Sequence, residues 1–317
     1  MNTNLNQFQT AQKFSGTFRV HGIRSLITSH HQPYTRLKIE DIYGSAIAYG
    51  WSGHFTMAGE IHDRDICYIE GRSRLHRGRW IVDIFHIAPA QNLLELNIVR
   101  MLPKEHCPRP ELLPRLDRVI STITTQQLQH FMNSLLLDQQ ITQLFLSVPA
   151  SMKHHHSHTS GLLLHSIECA EFVMNAYPVA SVEKELGMIA ALLHDIAKIR
   201  TMTSNKKKTT LGYVVDHDQL TLEVLAPHLC YLDREWADGA TALRYLLTWK
   251  NSKHSMPLLP VAEVIQTADR ISSALDARNM AYANTPEWKR FSNLDVGGPI
   301  NRFWSPSPAS NRHLQSQ

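Results

Sequence analysis

The chain has 317 residues, 43% hydrophobic and 19% charged, with a formal charge of +4, a globular composition with length enough for two domains. Its four cysteines lack any CxxC pairing, which argues against a zinc ribbon or a disulfide framework. No stretch approaches the ~20 apolar residues that cross a bilayer, so a reduced, cytoplasmic chain without a membrane partner is expected. The mild basicity admits nucleic acid or another phosphate-bearing partner without requiring one. The 19 histidines are the compositional oddity.

Residues 1–13 read as an N-terminal tail. From residue 14 to 100, short alternating runs predict a strand-rich domain. In YTRLKIED the apolar Leu37 and Ile39 alternate with Arg36, Lys38 and Glu40, the period of a half-buried strand. Glycines in DIYGS and HRGRW supply turns. About five such strands suit a small OB-like barrel, and a five-stranded SH3-like barrel reads much the same. Four prolines between residues 101 and 116 predict a linker, because proline continues neither a helix nor a central strand. From 117 to 285 the period becomes helical, with Leu128, Phe131, Met132, Leu135 and Leu136 at three-and-four spacing. Residues 286–317 lack periodicity and are rich in Pro, Ser and Asn, which predicts a disordered or loosely docked tail carrying Phe303 and Trp304. The expected fold class is α+β multidomain: an N-terminal small β-barrel, OB-like, followed by an all-α domain.

The chemical signal lies in polar residues set within apolar helices. AALLHDIAKI places His194 and Asp195 side by side among Leu192, Leu193, Ile196 and Ala197. Such a pair is costly to bury unless compensated, and a divalent cation suits a neutral imidazole beside a carboxylate. A buried His–Asp hydrogen bond is the plainer reading. GLLLHSIECA carries His165 in an apolar run, and VAEVIQTADRIS carries Asp269 among Val264, Ile265, Ala268 and Ile271. Each alone reads as structural. In order, as H, HD and D, the three favour a metal site.

This ordered set resembles the ligands of the HD-domain metal-dependent phosphohydrolases, all-α proteins whose ligands come from separate helices. PASMKHHHSHTSGLLLHSIE is similar to the segment that opens the HD domain of YhaM-type 3′-to-5′ exoribonucleases, roughly P-A-A-x-x-x-H-H-x-Y-x-G-G-L-L-x-H. Those proteins carry an OB-fold ahead of the HD domain, and the resemblance covers residues 14 to 285. It implies His165, His194, Asp195 and Asp269 as metal ligands and a divalent metal as cofactor: Mn²⁺ first, with Mg²⁺, Fe²⁺, Co²⁺ or Ni²⁺ as alternatives. His217, in LGYVVDHDQL, takes the place of a histidine that serves a second metal or the phosphate. Lys198 occupies the lysine of the family's HDxGK, one helical turn beyond His194, where its ammonium reaches a phosphate oxygen. The implied reaction is phosphodiester hydrolysis by a water whose pKa the metal lowers from ~15.7 toward neutrality; Asp195 is the residue whose loss harms most. One departure stands out. Where the family has an SHHG element, this chain reads TWKNSKH, with Trp249 and Lys250 in place of histidines and His254 a few residues late. The change argues for one metal or a weakened second one, and leaves open a loss of activity.

Within the histidine run, His155 and His156 match the paired histidines of the motif and are expected to line the pocket, against substrate phosphate or behind the ligands. His154 and His158 read as bystanders. Lys206, Lys207 and Lys208 are either a solvated turn or a track for a phosphate backbone. In the barrel, Tyr34, Arg36, Lys38, Tyr49 and Trp51 interleave aromatics with bases, and Arg74 and Arg77 stand near a turn. Arg36, Arg74 and Arg77 are therefore candidates for contact with single-stranded nucleic acid. The favoured function is a metal-dependent 3′-to-5′ exonuclease on single-stranded RNA or DNA, as a monomer or a homo-oligomer. The alternatives are an HD nucleotide phosphohydrolase, or a MobH-relaxase-like or degenerate HD module that binds nucleic acid with conjugation or DNA-processing partners.

Overall fold

The computed structural model describes residue 5 and residues 11–153, 156–178, 181–249, 256–295 and 300–306. His154, His155, Lys250 and His254 lie outside the described residues. Contacts divide the chain into two compact units, Met1–Ser147 with Leu222–Arg244, and Val148–Thr221 with Tyr245–Gln317.

The first unit begins with six strands: β1 (Lys13–Ile27), β2 (Pro33–Asp41), β3 (Gly44–Trp51), β4 (Thr56–Met57), β5 (Ile66–His76) and β6 (Arg79–Pro89). They lie in the order β3-β2-β1-β5-β6-β4. A further parallel pairing of β3 with β6, from Ile47↔Ile81 to Gly50↔Ile84, closes five of them into an OB-like barrel. That closure decides between the two barrel readings, in favour of the OB-like one. Alternation fills the interior with Phe18, Val20, Leu37, Ile39, Ile69, Val82, Ile84 and Ile87, all essentially inaccessible. Asp41 shapes the β2–β3 turn by accepting from the backbone N–H groups of Tyr43 at 2.8 Å and Gly44 at 2.7 Å.

The proline-rich segment differs from the expected linker. Residues 101–112 run through short 3₁₀ turns and residues 113–116 open a helix, and the segment buries Leu102, Cys107, Leu112, Leu113 and Leu116. Proline stopped regular structure there without stopping packing. Pro114 falls in the first turn of α1 (Leu113–Ser121), where its missing N–H costs nothing. α2 (Gln126–Leu137) and α3 (Gln139–Ser147) follow, and all three helices group with the barrel, so the division between units falls at Ser147 rather than within 101–116. Asp117 on α1 is buried and accepts from Asn97 Nδ2 at 2.7 Å, Arg100 Nε at 3.1 Å and the Tyr43 hydroxyl. Burial and that carboxylate push the Tyr43 phenol up to about 12.

The second unit is built on α4 (Gly161–Ala176) and α5 (Val182–Leu193), followed by the short α6 (Lys198–Thr201) and α7 (Thr210–Val214). α8 (His217–Glu235) starts in this unit and continues into the first, and α9 (Ala237–Thr248) does the reverse. α10 (Val261–Tyr282) packs on α4 and α5. Leu163, Ile167, Ala170, Ile189, Ala190, Leu193, Ile265 and Ala268 on these three helices are all buried. After α10 the expected disorder is overturned in part. β7 (Phe291–Leu294) and β8 (Asn301–Trp304) pair as an antiparallel hairpin, and Ser292 is buried with its hydroxyl donating to the Ala281 carbonyl at 2.5 Å.

Candidate metal centre

Two close approaches set the helices that carry the site. A Cβ on Gly161 would lie 1.9 Å from the His156 carbonyl oxygen, so glycine alone lets the preceding loop cross the start of α4. On α5, a Cβ at Gly187 would lie 2.3 Å from Val261 Cγ2, and its absence lets α5 settle against α10. His165 on α4, the His194–Asp195 pair at the end of α5 and Asp269 on α10 then converge. His165 Nε2 lies 3.2 Å from Asp269 Oδ1 and 3.6 Å from Asp195 Oδ2; His194 Nε2 lies 3.6 Å from Asp195 Oδ2 and 4.0 Å from Asp269 Oδ1. The four candidates read from sequence are therefore brought to one point.

Their chemistry fits a divalent cation. Donors about 2.0–2.2 Å from a shared ion sit at spacings of this size, and two imidazoles with two carboxylates suit a first-row metal. His194 Nδ1 lies 2.8 Å from the Ala191 carbonyl, which turns the other nitrogen inward, and His194 Nε2 is buried with no hydrogen-bond partner among the described residues. Burial lowers the His165 pKa and keeps its imidazole neutral, as ligation requires. Burial also pushes Asp195 upward, but Lys198, His194, His217 and His165 together hold it well below the usual carboxylate range. Asp269 follows the same pattern, with its burial outweighed by His165 and His194.

Behind the donors lies a layer that the sequence did not single out. Ser272 Oγ is 3.0 Å from His165 Nδ1, 3.0 Å from His156 Nε2 and 2.6 Å from Glu168 Oε2. His156 is 1% exposed, and its backbone N–H donates to Asp276 Oδ2 at 2.6 Å. Its side chain thus stands behind His165 by way of Ser272, one of the two places expected for it. Cys169, one turn beyond His165, packs its sulfur 3.9 Å from both ring nitrogens. With His165 and His194 it makes a tight donor group, but burial, reinforced by Asp269 and Asp195, keeps the thiol protonated. Its spacing from His165 was the available signal; Ser272 and Glu168 gave none, because serine and glutamate are residue types common on solvated helix faces.

The cluster borders two clefts. One, of about 930 Å³, is lined by Lys198, His217 and Asp269 together with Lys153, Lys208 and Arg270. Lys198 Nζ pairs with Asp195, and His217 Nε2 lies 2.9 Å from Asp195 Oδ1. The other, of about 570 Å³, is lined by His194, Asp218, Trp249, Gln266 and Asp269, so Trp249 does stand beside the centre. Of the lysine run, Lys208 lines the larger cleft and stacks over Tyr213 at 5.8 Å, whereas Lys206 and Lys207 are exposed and absent from its lining. In the barrel, Arg74 is committed to Asp83, with Nε 2.5 Å from Oδ2 and Nη2 3.2 Å from Oδ1, so it braces the sheet rather than offering a free cation. Arg77 is exposed in the β5–β6 turn, and Arg36 faces Tyr49 across β2–β3. Beside Arg36, Trp51 stacks on Tyr34 at 5.2 Å and on Tyr49 at 5.6 Å.

Residues 162–274 match the family model described as HD domain, and this segment, holding all four converging donors, is an HD domain. Fold and site together give an OB-like barrel followed by a helical region that contains this HD domain. Over most of its length the chain is also similar to proteins named 3′-5′ exoribonuclease YhaM. That of Listeria monocytogenes is 23% identical over 290 residues, covering 88% of this chain and 90% of the relative. Those of Bacillus velezensis and Oceanobacillus iheyensis are each 22% identical, over 78% and 84% of this chain and 81% and 85% of the relatives. Among the described residues no helix is long and apolar enough to cross a membrane.

Proposed function

We propose that the chain is a 3′-to-5′ exonuclease that shortens single-stranded RNA or DNA. The observation that carries this reading is the convergence of His165, His194, Asp195 and Asp269 beside a cleft lined with cations. Those four residues would hold one divalent ion, with Mn²⁺ the expected metal, and the ion would polarise the phosphoryl oxygen and make water a competent nucleophile near neutral pH. Lys198 and Lys208 bind phosphate oxygens as point charges. His217, held by Asp195 and by Asp218 at 3.2 Å, presents its ring to the same cleft and orients the phosphate. Trp249 in the adjoining cleft supplies an indole in place of an imidazole, which supports a single-ion centre. The Tyr34–Trp51–Tyr49 stack with Arg36 is the surface on which the barrel receives unpaired bases, and Arg77 adds charge in the β5–β6 turn.

The test is incubation of the purified protein with 5′-end-labelled single-stranded RNA and DNA in Mn²⁺, alongside metal analysis. Progressive shortening from the 3′ end, abolished by a chelator, is expected. Strand binding without bound metal and without shortening would mean a binding module in place of an enzyme.

A further inference from the structure

The larger cleft is bounded by more than the HD helices. Cross-strand partners share a face, so the pairs Ser292↔Phe303 and Leu294↔Asn301 put these four residues on one side of the hairpin. Ser292 is buried against α10, which turns this face inward, and Leu294, Asn301 and Phe303 line the cleft that also holds Lys198, His217 and Asp269. The opposite face leaves Phe291 and Trp304 in solvent, with the Arg302 guanidinium 4.6 Å from the Phe291 ring centre.

The wall is anchored at several points. The Tyr282 hydroxyl lies 2.8 Å from the Arg290 carbonyl and 3.1 Å from the Phe303 carbonyl. The Ser305 backbone N–H donates to the Arg290 carbonyl at 2.8 Å, and Thr285 Oγ1 lies 3.3 Å from Ser292 Oγ. A surface fixed in this way meets a ligand with little ordering cost.

The cleft is also larger than the metal chemistry needs. At about 930 Å³ it lies near the top of the ~300–1,000 Å³ of sites that enclose a drug-sized molecule, far more than one phosphodiester fills. Its lining divides by chemistry: lysines, Arg270 and the HD cluster supply charge, and Ala274, Ala277, Leu294 and Phe303 supply carbon. Charge beside an aromatic and aliphatic wall suits an anionic chain that carries flat rings.

We propose that the hairpin face of Leu294, Asn301 and Phe303 is a base-binding wall, which receives the 3′-terminal nucleobases and so sets the phosphodiester to be cut against the metal centre. Phe303 stacks on a base, Asn301 reaches a base edge, and Leu294 closes the apolar side. Stacking of this kind tolerates any base sequence. The inference rests on the exonuclease reading and adds the specificity element that the HD helices lack.

The test compares two single-stranded oligonucleotides, alike except that the last three nucleotides of one are abasic. For the wild type, KM should be lower on the oligonucleotide with intact bases. Phe303→Ala should raise that KM about 5- to 150-fold, the range of one base–aromatic stack, with kcat little changed. It should cost nothing further on the abasic-ended strand, and Phe303→Tyr should restore the wild-type difference. Phe303→Leu serves if the alanine variant does not fold. Equal losses on both strands, or no loss on either, would overturn the proposal. If the wild type shortens neither strand in Mn²⁺, the exonuclease reading fails, and equilibrium binding of the two strands still decides the wall. A base-dependent loss of affinity in Phe303→Ala then supports it, and equal wild-type affinity for the two strands rules it out.

Discussion

Asp195 is the side chain on which the centre turns. It is touched by Lys198, His165, His194 and His217, and these neighbours, the Lys198 ammonium first among them, keep it ionised although burial opposes this. Alanine in its place would leave Lys198 buried with neither a counter-charge nor an acceptor, a loss of about 3–5 kcal/mol; asparagine also removes the charge but keeps the shape and one acceptor oxygen, and is the cleaner probe. Ser272 acts one layer out, holding the nitrogen of His165 that does not face the carboxylates. Ser272→Ala is expected to weaken Mn²⁺ affinity about 10- to 100-fold while leaving the fold intact, as seen for the residues that orient metal-bound histidines. Calorimetric titration of the two proteins checks this, and unchanged affinity would reduce Ser272 to a packing role. His165 and His228 give a second prediction, since burial lowers both pKa values from the ordinary 6.5. Below about pH 6.5 the unfolded chain then binds more protons than the folded one, so stability falls as pH drops through this window. Urea midpoints at pH 7.5 and 5.5 should show the decline; a midpoint that rises on acidification contradicts it.

At the scale of elements, the centre depends on α5 lying close to α10. Gly187→Ala would drive a methyl into Val261, moving the helix that ends in His194–Asp195 away from the helix that bears Asp269. We expect about 1–3 kcal/mol of destabilisation in urea melts, with weaker metal binding, and a variant as stable as wild type would show that the contact yields freely. How much of this could be read in advance follows the same geometry. The HD helices were legible because His165, His194, Asp195 and Asp269 each stand among apolar residues in the sequence, where a polar group needs a reason. Strands of the barrel were legible from alternation, but its closure was not: the β3–β6 pairing joins residues far apart in sequence, and no local pattern encodes it. The hairpin was missed because FSNL and NRFW are four residues each, too short for a period to show. In residues 101–116 the prolines reported the end of regular structure and concealed the buried Leu102, Leu112 and Leu116. For His156, spacing does not distinguish a residue that faces a substrate from one that stands behind a ligand; its burial and its approach to Ser272 come only from the structure.

At the scale of the whole molecule, a chain of net charge +4 joins a barrel bearing stacked aromatics to an HD domain whose cleft concentrates lysines at a carboxylate–imidazole cluster. The two units have different chemistry: the barrel offers stacked rings with neighbouring cations, and the second unit brings together the imidazoles and carboxylates of His165, His194, Asp195 and Asp269. The account stands or falls on whether the four converging residues hold an ion that drives strand shortening. The most direct measurement follows 5′-labelled single-stranded RNA and DNA over a Mn²⁺ titration, with wild type and Asp195→Asn side by side. Wild type should shorten a strand from the 3′ end and stop when the metal is chelated. Asp195→Asn should bind the strand with nearly unchanged affinity yet shorten it at least ~10²-fold more slowly, since even outer partners of a metal ligand cost 10- to 100-fold. Shortening by Asp195→Asn at the wild-type rate, or wild-type activity that survives chelation, would contradict the account.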